Sequence, residues 1–291
     1  MLEDYIVIIA AVSLSLLYSW WCYPITLVIV GARQRALATL THEAAHKTLA
    51  RSRWLNNLAG SALSGHLVFQ LLHPYSRSHV SQHHGMFGNV SDDPDLAEHV
   101  RLGLYDDTPR RASKLRAYLF GLFLGAHAIK YIAHLFKARF QISDTRVERH
   151  ELFRFAALWT VLLSSLVLTG TFQHFIFFWV VPYLTSFLII GQAIELTEHY
   201  PSVLRHDLDI FRSRNRHPGK IEKFFTGIHA ENFHLEHHLK PRIPFWNLEK
   251  ANSLRRKDPY FTEIDDRNGG VFFSSANADS ILTSILGTAG S

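Results

Sequence analysis

The stretch FAALWTVLLSSLVLTGTFQHFIFFWVVPYLTSFLIIGQAI, residues 155–194, runs for forty residues without an Asp, Glu, Lys or Arg. A transmembrane helix needs about 20 apolar residues, so this stretch is long enough to cross a bilayer twice. The residues TGTFQH, 169–174, interrupt it near the middle and are typical of a turn. The sequence therefore predicts a membrane hairpin, which we place at residues 152–194.

A second uncharged block, residues 5–32, lies near the start of the chain. We interpret residues 5–41 as another hairpin, with helices near 5–21 and 24–41 on either side of an aromatic-rich turn; a single longer helix is the alternative. The opening residues MLED lack the basic segment and cleavage site of a secretory signal, so we expect the block to remain as a membrane anchor.

Composition and charge point to the same class of protein. The chain is 47% hydrophobic and only 19% charged, which is apolar for a soluble protein. Of the 30 Lys and Arg residues, 27 lie in residues 42–152 and 195–291, which fits the positive-inside rule of membrane proteins better than nucleic-acid binding. Residues 42–151 and 195–291 are therefore expected to form a cytoplasmic cap.

The single cysteine, Cys22, excludes an internal disulfide and a built-in iron–sulfur carrier, because both need several thiols. Any electrons must therefore come from a separate protein.

Two polar stripes at helical spacing are predicted to be solvated or interfacial faces rather than metal sites. One lies in residues 115–136 and continues to Lys137, with His127, Lys130 and His134. The other lies in residues 55–73, with His66, Gln70 and His73.

The chain has 19 histidines, and many of them cluster. Residues three or four apart lie on one face of a helix, with Cβ atoms about 5–6 Å apart, so two imidazoles can reach one metal. Four stretches have suitable spacing: His42-x-x-x-His46, His79-x-x-x-His83-His84, Glu195-x-x-Glu198-His199 and His234-x-x-His237-His238. They are predicted on the same side and next to membrane segments, which indicates shared metal binding. Nine imidazoles are too many for one zinc, so two metals are implied, although imidazole also suits copper, iron and nickel.

The order and context of these stretches resemble the integral-membrane fatty acid desaturase and hydroxylase superfamily over about residues 25–250. The segments that carry the resemblance are RQRALATLTHEAAH, YSRSHVSQHHG followed by DDPD, ELTEHYP, and ENFHLEHHLKP. The resemblance implies an all-α integral membrane protein, a single domain over residues 1–291, with about four transmembrane helices under a cytoplasmic helical cap. It also implies a histidine-built site for two ferrous ions, with O2 as co-substrate. Carried over residue by residue, the expected metal ligands are His42, His46, His79, His83, His84, His199, His234, His237 and His238.

Polar neighbours of these ligands are expected to accept the second imidazole N–H and so fix the tautomer and ring position. The candidates are Glu43, Asp92, Asp93, Asp95, Glu195, Glu198, Glu231, Asn232 and Glu236. Asn232, two residues before His234, is instead a candidate to bind a metal-held water, and an ordinary cap or turn fits it equally well. Arg33 and Arg35 lie toward the inner end of a membrane segment, where we expect a carboxylate partner, one candidate being a carboxylate of a histidine box.

The resemblance implies a desaturase that removes two hydrogens from a fatty acyl chain or a similar lipophilic substrate. Its electron donor would be a ferredoxin, a rubredoxin or a cytochrome b5 type protein. The same metals also support two alternatives: hydroxylation or ketolation of a lipid, alkane or carotenoid, and desaturation of a small amino-acid-derived or terpenoid metabolite. A multi-pass location in a bacterial cytoplasmic membrane is favoured over the endoplasmic reticulum, with the histidine clusters on the cytoplasmic side.

Two other protein classes fit the sequence less well. An intramembrane zinc protease would use His42, Glu43 and His46, but it needs a third ligand, commonly an Asp from another membrane helix, and residues 155–194 contain no acid. It also leaves six clustered histidines unexplained. A metal transporter or histidine-based sensor would spread its ligands through the depth of the membrane, whereas these gather at the helix ends.

Overall fold

The computed structural model describes residues 1–106, 111–125, 132, 133, 137, 140, 143 and 145–288, and the regular structure in this part of the chain is helical throughout. We number the α-helices along the chain. They are α1 (Leu2–Ser13), α2 (Tyr23–Ala45), α3 (Arg53–Gly60), α4 (Leu72–Ser76), α5 (Pro94–Arg101), α6 (Arg111–Phe123), α7 (Arg146–Leu168), α8 (Phe172–Phe175), α9 (Leu188–His199), α10 (Ser202–Arg205), α11 (Asp209–Arg212), α12 (Lys220–Thr226), α13 (His234–Leu239), α14 (Leu248–Arg255), α15 (Pro259–Asp265) and α16 (Ile281–Thr288).

Wider and tighter helical turns extend or join several of these helices. The wide, π-type turns are Leu14–Tyr18, Arg77–His84, Ile176–Val180 and Tyr183–Phe187, and the tight, 3-10 turns are Trp20–Cys22, Gly65–Val68, Ile228–Ala230 and Phe245–Asn247. The second histidine box lies entirely in one wide turn, Arg77–His84, which directly continues α4.

The chain forms two compact units. The first consists of Met1–Arg77 and His127–Gly191, and the second of Ser78–Ala126 and Gln192–Ser291.

In the first unit, the predicted N-terminal hairpin is two helices and not one. The backbone is extended at Ser19, with φ −162° and ψ 135°, which ends the helical run that began with α1. Pro24 then lies in the first turn of α2, where its missing N–H costs nothing. The Ser15 and Thr26 hydroxyls are 2.8 Å apart and join the two arms.

Arg33 of α2 pairs with Asp4 of α1, a residue outside every histidine box. The Arg33 Nη1 atom lies 3.2 Å from Asp4 Oδ1, and Asp4 and Arg33 are 0% and 2% exposed. A buried charge requires an opposite charge and hydrogen bonds, so this pair fixes the register between α1 and α2.

Two helices among the described residues are long and apolar enough to cross a membrane: Arg146–Leu168, and the composite helix Phe172–Arg205. The turn between them contains Gly170 in a left-handed conformation, φ 69°, which ends α7 where the sequence predicts a turn. Only 11% of the apolar window of α7 is buried, so its apolar side chains face outward. A core helix of a soluble protein would bury them.

The predicted polar face over residues 55–73 is wrong for His66 and Gln70, which are only 1% and 2% exposed. The prediction assumed one regular helix, but α3 ends at Gly60 and Phe69 has a left-handed φ of 54°, so helical spacing does not apply. His66 instead packs against the fully buried Glu151 of α7, with Nε2 3.4 Å from Oε1.

Glu151 also holds the start of α4. Its carboxylate accepts hydrogen bonds from the backbone N–H groups of Leu72 and His73, at 2.6 and 2.9 Å, and from His73 Nδ1 at 2.6 Å. These are N–H groups that the first turn of a helix leaves without intrahelical partners. A side chain from α7 therefore fixes the helix that leads directly into the second box.

The other predicted stripe falls partly outside the described residues, which exclude His127, Lys130 and His134. The helix before it, α6 in the second unit, has apolar side chains on two sides: Leu115 and Leu122 are buried, whereas Phe120 and Phe123 are 67% and 54% exposed. Its buried side packs against α16.

The C-terminal part of the second unit is organised around Asp265, which is 2% exposed. Its carboxylate accepts hydrogen bonds from Asn215 Nδ2 (3.0 Å), His217 Nε2 (3.0 Å), Asn252 Nδ2 (3.2 Å) and Arg256 Nη1 (2.8 Å). Burial by itself raises the pKa of Asp265, but the hydrogen bond and charge of His217, with Asn252 and Arg256, outweigh burial and hold this pKa below its ordinary value.

We expect Asp4→Asn to destabilise the protein by about 3 kcal/mol, because it leaves the buried Arg33 charge without its carboxylate. Thermal unfolding of the purified protein in nanodiscs measures this loss. The double variant Asp4→Asn/Arg33→Met should be more stable than Asp4→Asn alone, since it removes both charges. Glu3→Gln, at an exposed neighbouring position, is the matched control; an Asp4→Asn variant as stable as this control would contradict the expectation.

We expect Asp265→Asn to lower stability by about 2 kcal/mol at pH 7, through weakened charged hydrogen bonds. The pKa of Asp265 is lowered in the folded state, so this stabilisation is present above the ordinary Asp pKa of about 3.9 and is lost as pH falls through the lower folded value. Unfolding midpoints of variant and wild type should therefore converge as the pH is lowered through the titration of the folded-state Asp265 carboxyl. Asp266→Asn, which removes the exposed carboxylate beside it, is the control, and a difference that does not change with pH would refute the argument.

Candidate metal centre

Helix α13 carries the third histidine box and is held by outside partners in its first turn. At its start, Asn215 Oδ1 accepts hydrogen bonds from the N–H groups of Leu235 (3.0 Å) and Glu236 (3.4 Å). The carboxylate of Glu236, which is 1% exposed, binds Arg255 Nε of α14 at 3.0 and 3.1 Å. A six-residue helix has few internal hydrogen bonds, so these outside partners hold its three histidines in place.

Seven of the nine predicted ligands belong to the second unit and form two groups. Cluster A contains His79, His84 and His237. The Nε2 atom of His84 lies 3.1 Å from that of His79 and 3.0 Å from that of His237.

Cluster B contains His83, His199, His234 and His238. The Nε2 atom of His238 lies 3.3 Å from that of His83 and 3.0 Å from that of His234, and the His234 and His199 Nε2 atoms are also 3.0 Å apart.

These distances fit metal coordination. Two nitrogens bound to one metal at about 2.1 Å each, at a right angle, are about 3.0 Å apart. Hydrogen bonding fits less well, because the Nε2 atom of His84 faces two other ring nitrogens and a single N–H can satisfy only one of them. Both clusters are therefore suited to hold a metal ion through neutral imidazoles.

Asp93 lies beside His83 and accepts a hydrogen bond from its ring. The Nδ1–H group of His83 donates to the Asp93 carboxylate at 3.0 Å, which turns the Nε2 lone pair toward cluster B. Burial lowers the pKa of His83, but the hydrogen bond and charge of Asp93, helped by Asp95 and Glu195, outweigh burial and raise this pKa. Burial among other imidazoles holds the pKa of His238 well below its ordinary value, which favours the neutral ring that binds metals.

Glu198 lies beside His234. Its Oε2 atom lies 3.5 Å from His234 Nε2, the nitrogen that also faces His199 and His238. Its other oxygen accepts a hydrogen bond at 2.9 Å from Arg216, whose side chain is fully buried. Glu198, His199 and His234 thus form a group that can hold a metal, with a carboxylate as one ligand.

Two further predicted neighbours lie close to cluster B. Asp95 Oδ2 is 3.7 Å from His83 Nδ1. Glu195 lines a small cavity together with His83 and His199.

Three of the other candidates have roles in the fold. Glu236 binds Arg255, as described above. Asn232 donates through Nδ2 to the Arg216 carbonyl at 3.1 Å, and Asp92 is exposed and accepts from Asn89 Nδ2 at 2.8 Å. Glu231 is half-exposed in the turn before α13.

The remaining predicted ligands, His42 and His46, belong to the first unit. They lie at the C-terminal end of α2, with ring centroids 4.9 Å apart. Glu43 Oε1 is 3.5 Å from His42 Nδ1, and its other oxygen accepts from the Thr48 hydroxyl at 2.8 Å. The spacing of the first box therefore brings its two imidazoles onto one face, as predicted.

The chain is similar to known proteins along most of its length. The sequence pattern of the family described as fatty acid desaturase matches residues 18–264, which is most of the chain. The chain belongs to the fatty acid desaturase family. This desaturase-family protein is therefore an oxidoreductase, and the resemblance recognised from its histidine boxes is confirmed.

Several curated desaturases are similar to this desaturase-family chain along most of its length. The dihydrorhizobitoxine desaturase of Bradyrhizobium elkanii is 34% identical over 97% of this chain and 82% of that protein. The sn-1 oleoyl-lipid 12-desaturase of Anabaena variabilis is 22% identical, over 80% of this chain and 69% of that protein. The sn-1 acyl-lipid omega-3 desaturase (ferredoxin) of Nostoc sp. (strain 36) is 26% identical, over 81% and 68%. General desaturase function and a separate electron donor are thus consistent with the relatives.

Sequence reasoning missed several residues that build the desaturase site. Arg216 and Asn215 hold Glu198 and α13, but no periodicity marks a cation or amide in the loop RSRNRHPG. Tyr105 also lines the cavity beside His83 and His199, and its buried hydroxyl has no hydrogen-bond partner among the described residues. Burial raises the pKa of Tyr105, so the hydroxyl keeps its proton.

We expect Asp93→Asn to weaken metal binding by about 10- to 100-fold, because it removes the charged acceptor that fixes the His83 tautomer. Metal content after dialysis against a graded chelator series, measured by inductively coupled plasma mass spectrometry, tests this. Asp92→Asn changes the adjacent exposed carboxylate and should bind metal as the wild type does. Equal metal retention by the two variants would show that Asp93 does not support cluster B.

Proposed function

We propose that this protein is an O2-dependent membrane desaturase that holds two iron ions in clusters A and B. The observation that carries the proposal is the distribution of the third box: His237 belongs to cluster A, while His234 and His238 belong to cluster B. One short helix thus supplies ligands to two neighbouring metal positions. A mononuclear zinc protease site has no use for the second cluster.

The ligand set that we propose is the nine histidines of the four boxes. His42 and His46 enter it through the family resemblance and their shared face on α2. Iron is chosen over zinc because the reaction class of the family is oxidative and zinc has no redox chemistry. When bound, two ferrous ions supply the reductive activation of O2.

The protein's own residues prepare this chemistry. Asp93 fixes one imidazole, and Arg216 holds the Glu198 carboxylate at another. The desaturation itself converts a –CH2–CH2– group to –CH=CH–. O2 accepts the two hydrogens together with two electrons and two protons, and leaves as two water molecules.

We propose four membrane-crossing helices, as two hairpins over residues 5–41 and 152–194, in one domain spanning residues 1–291. In the first hairpin, Ile9, Leu17 and Trp21 are 65%, 86% and 92% exposed, and this exposure is favourable only against hydrocarbon or headgroups. The cap, residues 42–151 and 195–291, would then face the cytoplasm, because it carries most of the Lys and Arg. The proposed location is a bacterial cytoplasmic membrane.

For the substrate, the relatives favour a compound of the dihydrorhizobitoxine type. The desaturase named for that compound shares 34% of residues over 97% of this chain, whereas the lipid 12-desaturases of cyanobacteria share 21–24%. A fatty acyl chain or similar lipophilic group is the second candidate, favoured by the family match and the apolar membrane helices. Hydroxylation or ketolation is the alternative outcome, since it differs only in where the oxygen atom ends.

We expect expression in a host without the activity to yield a product about two mass units lighter than its substrate, because desaturation removes two hydrogens. Mass spectrometry of both polar metabolites and lipids, with dihydrorhizobitoxine and oleoyl lipids supplied separately, decides the substrate. A product about sixteen units heavier would instead show hydroxylation.

The purified protein should contain about two iron ions per chain, and His84→Ala and His238→Ala should each lower iron content and abolish the product. His206→Ala, at an exposed histidine outside both clusters, is the control.

A further inference from the structure

Helix α13 connects both histidine clusters to the protein surface. It contributes His237 to cluster A and His234 and His238 to cluster B, and the exposed Lys240 follows only two residues after His238. Electron transfer between proteins requires a short path from the surface to the metal. The covalent path from Lys240 to a ligand of either cluster is two or three residues long.

The surface next to this path is basic and carries an exposed aromatic ring. Lys240, Arg242, Trp246 and Lys250 are all exposed, Trp246 by 54%. We call these four residues the α13–α14 surface. Residues 239–257 contain six Lys or Arg, and Glu249 is the one acidic residue among them.

Two of these six side chains form ion pairs with carboxylates of the fold. Lys240, Arg242 and Lys250 of the α13–α14 surface are instead exposed to solvent. Arg255 binds Glu236, and Arg256 binds Asp265 and Asp266.

The loop that bears these residues is held in shape by its own contacts. The N–H groups of Ile243 and Asn247 donate to the carbonyls of Lys240 and Pro244, both at 2.9 Å. The ring of Phe245 lies 5.0 Å from Trp246 and 5.0 Å from His229. A pre-shaped surface loses less conformational entropy when a partner binds.

We propose that Lys240, Arg242, Trp246 and Lys250 form the docking surface for an acidic, plant-type [2Fe–2S] ferredoxin that delivers electrons to both clusters. The proposal rests on the function proposed above. Opposite charges steer and orient such a partner, and an exposed Trp is a side chain typical of interface anchors. A similar desaturase, that of Nostoc sp. (strain 36), is named for ferredoxin.

The number of electrons needed for each double bond determines how often a donor must dock at the α13–α14 surface. Each reduced ferredoxin gives up one electron and is oxidised, so two ferredoxins dock in turn for each double bond. O2 is reduced by these two electrons and by the two hydrogens of the substrate, and two protons from solvent complete the two water molecules. A docking site used twice per turnover favours fast, charge-steered association over tight binding.

An anionic membrane surface is the competing partner, because Trp with Lys and Arg also suits headgroups. The position of the α13–α14 surface favours ferredoxin, because Lys240 directly follows α13, the helix that contributes histidines to both clusters. A lipid contact gains nothing from closeness to both clusters.

The test uses the full-length protein in nanodiscs of uncharged phosphatidylcholine, with a plant-type ferredoxin kept reduced by its reductase. We expect Lys240→Glu/Arg242→Glu to lower kcat/KM for ferredoxin by about tenfold or more, and this loss should shrink as salt is added. Trp246→Ala should raise KM for ferredoxin with little salt dependence. Turnover driven by dithionite with methyl viologen, a small donor that needs no docking surface, should stay at the wild-type rate for both variants.

The matched control is Lys220→Glu/Arg267→Glu, which makes the same charge change at two exposed positions outside the α13–α14 surface. A loss of the same size in this control, or no loss in Lys240→Glu/Arg242→Glu, overturns the docking surface. A loss that occurs only in nanodiscs with anionic lipid assigns the surface to the membrane instead and also overturns it. If the wild type makes no product with either donor, the proposed function fails, and the docking proposal fails with it.

Discussion

The structure of the site depends on the crowding of imidazole lone pairs. Within the second unit, ring nitrogens from three separate chain segments approach to 3.0–3.3 Å, and the Nε2 atom of His84 lies this close to two of them. Desolvated nitrogens of this kind cost free energy unless they gain partners of similar strength. The residues around them, Asp93, Asn215 and Arg216, hold in place an arrangement that is suited to bind a cation.

The sequence predicted the local features of this site well. The residues of each box lie three or four apart, and that spacing is enough to bring His42 to His46 and His234 to His238, because helix geometry is set by neighbours along the chain. The hairpin turns at Ser19 and Gly170 were predicted for the same reason. Pro and Gly limit the backbone wherever they occur, so their effect does not depend on the rest of the fold.

Contacts between distant segments were not predictable in this way. No residue near Glu198 in the sequence indicates that Arg216 is buried against it. The four hydrogen bonds to Asp265 likewise come from residues up to fifty positions away. The wrong prediction for His66 has the same origin. It assumed helical spacing through a segment whose backbone departs from the helix at Phe69, and the partner that buries it, Glu151, lies 85 residues further along the chain.

The sharing of α13 between both clusters limits how the protein can evolve. An insertion or deletion within residues 234–238 would rotate the following ligands by about 100° around the helix axis and displace them from both metal positions at once. Neither cluster can therefore evolve to bind another metal, or a metal in another geometry, without a change in the other cluster. Diversification within such a lineage would fall on segments outside residues 234–238, so that one arrangement of histidines could serve chemically different substrates.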